Sequence, residues 1–167
     1  MHIRTAVALG LTALLASCMT LPTTVEGYRE FAASSSLVGK QEYDVSRPAS
    51  AVASTWRSRS AECLNFGSQT SLTRLGGSPG SGMNAVFRDS YRTRVETAGG
   101  HSSLIIEHYS PNNVGAEGWY VYLVADVEPA GGGSHVTVFA PLATGAFTRP
   151  IRAWAEGNTK PCPLLDM

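Results

Sequence analysis

The chain carries few side chains whose types and spacing could support catalysis. His101 and His108 are seven residues apart, so on one regular strand they point to opposite faces, and neither makes a local pair with His135. Serine, histidine and aspartate occur, but no Gly-x-Ser-x-Gly turn or other nucleophile signature accompanies them. The glycine-rich run at 76–82 lacks the Gly-Lys-Ser/Thr ending of a phosphate-binding loop. We therefore expect no metal site, no cofactor and no enzymatic activity.

Three arginines form a small basic stripe. Arg88, Arg92 and Arg94 fall on one face of a strand expected at 83–96, because side chains alternate along a strand. The opposite face carries Ala85, Phe87, Tyr91 and Val95. The stripe could contact an anionic headgroup or an acidic partner. It could also be a solvated face paired with nearby Glu or Asp, which is the commoner arrangement for exposed arginines.

The first residues have the pattern of a secretion signal. Arg4 is followed by an uncharged run from Thr5 to Leu15, and the small residues Ala16 and Ser17 come next. The uncharged run has 11 residues. A helix that crosses a bilayer needs about 20. We therefore predict a signal peptide over 1–17 rather than a permanent transmembrane helix.

The segment Leu15-Ala16-Ser17-Cys18 resembles the lipobox of bacterial lipoproteins in both its residues and its position. In that family the thiol of the cysteine carries a diacylglyceryl group, a dedicated peptidase cuts just before the cysteine, and the new amino group is usually acylated, as with palmitate. The resemblance implies lipidation at Cys18, a mature protein of residues 18–167 and attachment to the membrane. Two or more acyl chains hold a protein stably, at about 0.8 kcal/mol per buried CH₂.

The resemblance also bears on the location of the protein. Met19 stands where the family's inner-membrane retention signal usually has Asp, which favours the outer membrane with the domain facing the periplasm. The alternative is a soluble secreted protein, cut near Ala16 or Ser17, in which Cys18 is a free thiol.

With Cys18 assigned to lipid, the other two cysteines form an even pair in an oxidising compartment. We expect a disulfide between Cys63 and Cys162. It would close a span of 162 minus 63, or 99 residues. In the chain-entropy model, closing such a span contributes up to about 4.7 kcal/mol. Cys63 could instead be a buried thiol, and a redox role is not expected because no Cys-x-x-Cys occurs.

Composition is that of one ordinary folded domain. Of 167 residues, 43% are hydrophobic and 16% are charged, and 13 Lys+Arg balance 13 Asp+Glu. Without a net basic charge, nucleic-acid binding is not expected. The 150 residues left after the signal suit a single domain.

The spacing of hydrophobic residues predicts the secondary structure of that domain. Residues 18–40 are rich in Thr, Ser and Ala, and we predict a lipidated N-terminus and flexible tether, although Val25, Tyr28 and Phe31 fall at helical spacing. Residues 42–45 alternate like a strand. The apolar residues then recur every 3.6 positions, which predicts a helix over 48–64.

After the helix the period changes to 2. It predicts strands near 69–75, 83–96, 102–109, 118–128 and 134–140, joined by turn-rich loops into an antiparallel meander. In the strand at 118–128, Trp119, Val121 and Leu123 are expected to face the core, with Tyr120 and Tyr122 opposite. A short helix with Pro150 in its first turn closes the chain, and Gly157 ends it.

We therefore predict a single α+β domain over 41–167. It has two layers, in which an antiparallel sheet of five to six strands packs on one long helix, with a short C-terminal helix. In element order it resembles helix-grip folds and the small domains of outer-membrane assembly lipoproteins, an analogy that no sequence motif supports.

Two classes of function are compatible with these patterns. The first is a non-catalytic envelope lipoprotein whose domain binds a protein partner through an exposed sheet face or edge strand. The alternative is a carrier that holds a small apolar ligand between the sheet and the helix at 48–64. The carrier needs free volume where Trp56, Phe87, Trp119 and Trp154 are expected to converge.

Overall fold

A computed structural model describes residues 21–64, 69–74, 84–109 and 118–163, with the side chains of 69–74 and 84–89 not described. The predicted signal peptide and Cys18 lie outside these residues. The elements are α1 (Val25–Ser34), β1 (Val38–Val45), α2 (Ala49–Leu64), β2 (Gln69–Arg74), β3 (Asn84–Ala98), β4 (His101–Tyr109), β5 (Tyr120–Ala130), β6 (Gly133–Pro141) and α3 (Gly145–Ala155). The chain is thus an α+β domain, as the sequence predicts.

The strands form an antiparallel sheet in the order β1-β6-β5-β4-β3-β2. The strands from β2 to β6 follow one another as a meander, and β1 pairs beside β6, from Val38↔Pro141 to Val45↔Ser134. β2 extends the sheet at its other edge, where it pairs with the first part of β3. The first strand of the sheet therefore lies next to the last.

One face of the sheet, which we call the inner face, packs against α2 and α3. The apolar side of α2 buries Val52, Trp56, Cys63 and Leu64, as the 3.6-residue spacing predicts. Trp56 Nε1–H donates a hydrogen bond to the Ile151 carbonyl at 3.2 Å, which ties α2 to α3 inside the core. The sheet contributes Leu104, Ile106, Leu123, Ala125, Val127, Val136 and Val138 to the same cluster.

The last helix is longer than the sequence predicts. α3 begins at Gly145, so Pro150 lies inside it rather than in its first turn. The proline removes one helix hydrogen bond. Burial of Phe147, Ile151 and Trp154 on the inner face offsets that loss. The helix ends at Ala155, and Gly157 stops it as predicted, since this residue adopts φ +95° and its N–H bonds back to the Trp154 carbonyl.

The prediction of two layers with one long helix is corrected. The described residues contain three helices, of 10, 16 and 11 residues, and none is long relative to the sheet. α1 covers part of the opposite face, which we call the outer face, so the sheet is covered on both sides. None of the described helices is long and apolar enough to cross a membrane.

α1 and the start of β1 occupy part of the segment expected to be a tether. Val25 and Tyr28 are buried on the outer face, with 6% and 2% exposure. Thr24 caps the helix, because its Oγ1 accepts a hydrogen bond from the Gly27 N–H at 3.1 Å. The folded domain therefore begins well before residue 41.

An irregularity in β5 changes which side chains face the core. Ile106 pairs with Leu123 but Glu107 pairs with Val121, so Tyr122 is an extra residue in β5. Val121 consequently packs on the outer face with Val124, while Leu123 packs on the inner face. The expectation that Tyr120 and Tyr122 lie opposite the core is wrong: Tyr122 contacts Phe147 of α3.

The predicted disulfide is present. It joins Cys63, at the end of α2, to Cys162, in the tail after α3, with 5.3 Å between the two Cα atoms. Cys63 is fully buried. The bond therefore fixes the end of α2 to the tail on the inner side of the sheet.

Candidate functional site

A buried carboxylate pairs with two of the three arginines of the basic stripe. Glu107 lies opposite Arg92 on the outer face, and its Oε2 accepts hydrogen bonds from Arg92 Nε at 2.6 Å and Arg94 Nη1 at 2.7 Å. Arg94 also pairs with Glu96 at 2.7 Å. The side chain of Arg88 lies outside the described residues. An anion approaching Arg92 and Arg94 would compete with these carboxylates.

The environment of Glu107 keeps it ionised. Burial raises its pKa, but the hydrogen bonds and charges of Arg92 and Arg94 outweigh burial, so the pKa lies below its ordinary value. The Arg92 guanidinium also lies 4.5 Å from the centre of the Trp119 ring. The cluster is thus a closed set of ion pairs on the outer face.

The tryptophans do not converge around a ligand space. Trp119 lies beside Arg92 on the outer face, whereas Trp56 and Trp154 are fully buried on the inner face. The side chain of Phe87 lies outside the described residues. Trp56 and Trp154 occupy the space between the sheet and α2 that the carrier hypothesis assigns to a ligand.

The three histidines of the domain lie in three different places. His108 is buried, stacks on Tyr91 with 4.5 Å between ring centres, and shares a 2.5 Å hydrogen bond with the Tyr120 hydroxyl. His101 begins β4, and His135 lies on β6. Among the described residues, no group of three or more His, Cys, Asp or Glu side chains could hold a metal ion.

A polar opening of about 320 Å³ lies on the outer face, toward the end of the sheet that holds the β5–β6 turn. We call it the polar basin. Its charged and titratable lining residues are Arg29, Lys40, His101, Asp126, Glu128 and His135. Arg29 from α1 forms a two-bonded pair with Asp126, at 2.8 and 3.3 Å. The basin therefore presents both signs of charge in fixed positions.

Neighbouring carboxylates on β1 hold the other cations of the basin. Lys40 Nζ lies 2.7 Å from Glu42, and this hydrogen bond lowers the pKa of Glu42. His135 Nδ1 lies 2.7 Å from Asp44, and this hydrogen bond raises the pKa of His135 above its ordinary value. Both pairs are exposed, so they set the charge distribution of the surface and contribute little to the stability of the fold.

A second opening, of about 190 Å³, lies at the opposite end of the strands. We call it the apolar groove. It is lined mainly by Leu21, Phe31, Leu37, Val38, Val121 and Pro141, and none of its lining residues is charged. Leu37 is 57% exposed, and its carbonyl accepts a hydrogen bond from the N–H of Leu142, which is 62% exposed. The two exposed leucines are therefore backbone neighbours at this end of the sheet, with Leu37 lining the groove and the Leu142 side chain lying beside Gly39.

The groove forms where β5 and β6 separate. Their pairing ends at Val124↔Phe139, so β5 continues toward Tyr120 paired with β4 but without β6. The residues just before α1 occupy the edge of β5 that β6 no longer covers. There the Val121 N–H donates a hydrogen bond to the Pro22 carbonyl at 2.8 Å. The Tyr28 hydroxyl donates to the Tyr122 carbonyl at 2.7 Å. These two bonds seat α1 over the gap and leave the groove beside it.

Neither the groove nor the basin is predicted from the sequence. The local signals for α1 are Thr24 as a cap and the spacing of Val25, Tyr28 and Phe31. They predict a helix but not the surface against which it docks. Comparison with protein-family models, with curated proteins and with solved structures finds no match, so the two openings are interpreted from their own chemistry.

Proposed function

We propose that the protein is a cell-envelope lipoprotein, anchored through lipid on Cys18, whose non-catalytic domain binds a protein partner. In this proposal the anchor lies in the outer membrane and the domain faces the periplasm. The proposal combines the resemblance of residues 15–18 to a lipobox with the path by which the chain enters the fold.

The observation that best supports the proposal is that the chain joins the sheet four residues after Cys18. The carbonyl of Pro22 already accepts a hydrogen bond from Val121 of β5. Four residues span at most about 14 Å when extended. A lipid on Cys18 would therefore hold this end of the sheet against the membrane surface, with little freedom to swing away.

The polar basin is the best candidate for the partner surface. Asp126 lies five residues along β5 from Val121, which corresponds to about 17 Å at the rise of a strand. A partner in the periplasm would reach the basin without contacting the bilayer. Its mixed charges, Arg29 and Lys40 with Asp126 and Glu128, favour a partner that carries complementary charged residues.

The edge strand beside the basin offers a second set of contacts. β1 is an edge strand of the sheet, so backbone groups on its free edge can pair with an extended peptide. The basin and the β1 edge together form a surface that a folded partner with an exposed strand would fit.

The anchor is tested by the intact mass of the natively expressed protein, extracted gently from membranes and measured with and without reducing agent. We expect the mass of residues 18–167 plus acyl groups, rising by two hydrogens on reduction of the Cys63–Cys162 bond. A Cys18→Ser variant serves as the control, because it should carry no lipid. An unlipidated wild-type mass that begins elsewhere would refute the proposal.

The partner surface is tested by a photo-crosslinking amino acid placed at Glu128, with the same probe at Arg57 on the exposed side of α2 as the control. We expect one adduct of defined mass from position 128 in living cells, and none of that mass from position 57. The adduct should weaken when Lys40→Glu is added. Equal adducts at both positions, or insensitivity to Lys40→Glu, would exclude the basin as the contact.

A further inference from the structure

We propose that the apolar groove and the two exposed leucines at the same end of the sheet, Leu37 and Leu142, rest in the surface of the membrane, so that the acyl region of the bilayer covers them. This inference rests on lipidation at Cys18, as proposed above. It adds a second, non-covalent contact with the membrane and a defined orientation of the domain.

The chemistry of the surface favours hydrocarbon over a polar occupant. Leu37 and Leu142 are the mostly exposed large hydrophobic side chains among the described residues, and they are neighbours. Leu37 also lines the groove, and no charged side chain does. Burial of this end of the sheet in the membrane interface would remove apolar surface from water and desolvate no charge.

The position of the anchor selects the bilayer as the occupant. Leu21 lines the groove and lies three residues after Cys18. Three extended residues reach about 10 Å. The headgroup layer on each side of a bilayer is itself about 5–8 Å thick. A lipid on Cys18 would therefore bring the groove to the headgroup layer, where a protein partner would have little room to enter.

This contact would set the strands at a steep angle to the membrane. The groove lies at one end of β5 and the polar basin lies toward the other, so an apolar end in the bilayer turns the basin toward the periplasm. The same arrangement keeps the charged pairs of Arg29 and Lys40 in water.

The test uses an environment-sensitive fluorophore, NBD, on single cysteines in the lipidated protein. The variants are Leu37→Cys, Leu142→Cys and, as the control, Gly132→Cys at the β5–β6 turn, where an added Cβ meets nothing within 4 Å. Cys63 and Cys162 are joined and should not react. The protein is inserted in vesicles of phosphatidylethanolamine and phosphatidylglycerol, with and without brominated acyl chains.

We expect blue-shifted NBD emission at 37 and 142 that is quenched by the brominated chains, and water-like emission at 132. Adding Leu142→Lys should reduce quenching of the label at 37, whereas Ser58→Lys on the exposed side of α2 should not. Because both leucines are mostly exposed, these variants should fold, and a retained disulfide checks this.

The outcomes separate the two proposals. A mass that shows lipid, with water-like emission at both 37 and 142, would overturn the membrane contact and leave the anchor standing. Blue-shifted emission that brominated lipids do not quench would show a different apolar cover and also overturn it. A mass without lipid would overturn both proposals. Equal quenching at 132 would contradict the orientation.

Discussion

The two faces of the sheet are built differently. The inner face is closed by α2 and α3, two fully buried tryptophans and a disulfide. The outer face is covered only in part, by α1, and carries ion pairs, a polar basin and an apolar groove. From this difference we expect the inner face to supply most of the free energy of folding, which would leave the outer face able to offer contact surfaces.

The sharpest test of this comparison is to replace one aromatic side chain on each face by alanine. Trp56→Ala should cost about 3–5 kcal/mol, because it empties a fully buried site and removes the bond to Ile151. Phe31→Ala, on partly buried α1, should cost clearly less. The measurement is urea unfolding of the wild type and both purified variants. Equal losses would show that the outer face is as important to stability as the inner.

The disulfide should give the next largest effect. Replacing both Cys63 and Cys162 by Ser should lower the free energy of unfolding by about 2–5 kcal/mol, because the unfolded chain gains the entropy of an open loop. Urea unfolding of the wild type with and without reducing agent should give a similar difference. An unchanged midpoint in both comparisons would mean that core packing alone holds the inner face.

On the outer face, Glu107→Gln should cost about 1–3 kcal/mol, since it leaves Arg92 and Arg94 without their buried carboxylate. Glu96→Gln is the control; it removes an exposed pair and should cost at most about 1 kcal/mol.

The same pair of variants predicts a pH dependence. The pKa of Glu107 is lowered in the fold, so its contribution is present above the ordinary glutamate pKa, about 4.3, and is lost as the pH falls through the lower folded value. The stability of Glu107→Gln should therefore fall less steeply in acid than that of the wild type. Parallel acid profiles would contradict the assignment.

A smaller effect is expected where α1 docks. Tyr28→Phe keeps the ring but removes the hydroxyl that donates to Tyr122, and should cost about 0.5–1.5 kcal/mol. Amide hydrogen exchange should speed up in α1 before it does in α2. Tyr43→Phe is the control, because the buried Tyr43 hydroxyl has no hydrogen-bond partner among the described residues. Equal costs for the two variants would mean that the Tyr28 bond does not seat the helix.

The smallest effect concerns the rim of the polar basin. Asp44→Asn should lower the pKa of His135 toward its ordinary value, and Glu42→Gln should lower it less, because Glu42 lies 3.8 Å away and Asp44 lies at 2.7 Å. Since the folded pKa is raised, the contribution of His135 to stability is present below its unfolded pKa and lost as the pH rises through the folded value. An NMR titration of His135 measures both shifts; identical shifts would contradict the geometry.

The sequence predicts the inner face better than the outer. α2 begins one residue from its predicted start, and each predicted strand occurs, because a strong period of 3.6 or 2 reflects burial along one element. The disulfide is also predicted, from the count of cysteines and the oxidising compartment that the lipobox resemblance implies. The helix and strands depend on local sequence patterns. The disulfide depends on there being only two cysteines left once Cys18 is assigned to lipid.

The outer face depends on contacts between distant segments. Alternation in β5 cannot reveal the extra residue at Tyr122, since tyrosine and valine suit either face. Gly27 and the serines after α1 weaken its helical signal, and the bonds to Val121 and Tyr122 that stabilise it come from about a hundred residues away. The arginine stripe is placed on the correct strand, but its partner Glu107 follows only from the strand register.

If the chain is exported as proposed, the pairing of β1 with β6 also sets an order of events. Val38 faces Pro141, a separation of 141 minus 38, or 103 residues, so β1 has no partner strand until almost the whole chain has emerged. In a chain that crosses the inner membrane N-terminus first, Cys18 would be available for modification long before the sheet can close. Anchoring would then come first, and the domain would complete its fold while already held at a membrane.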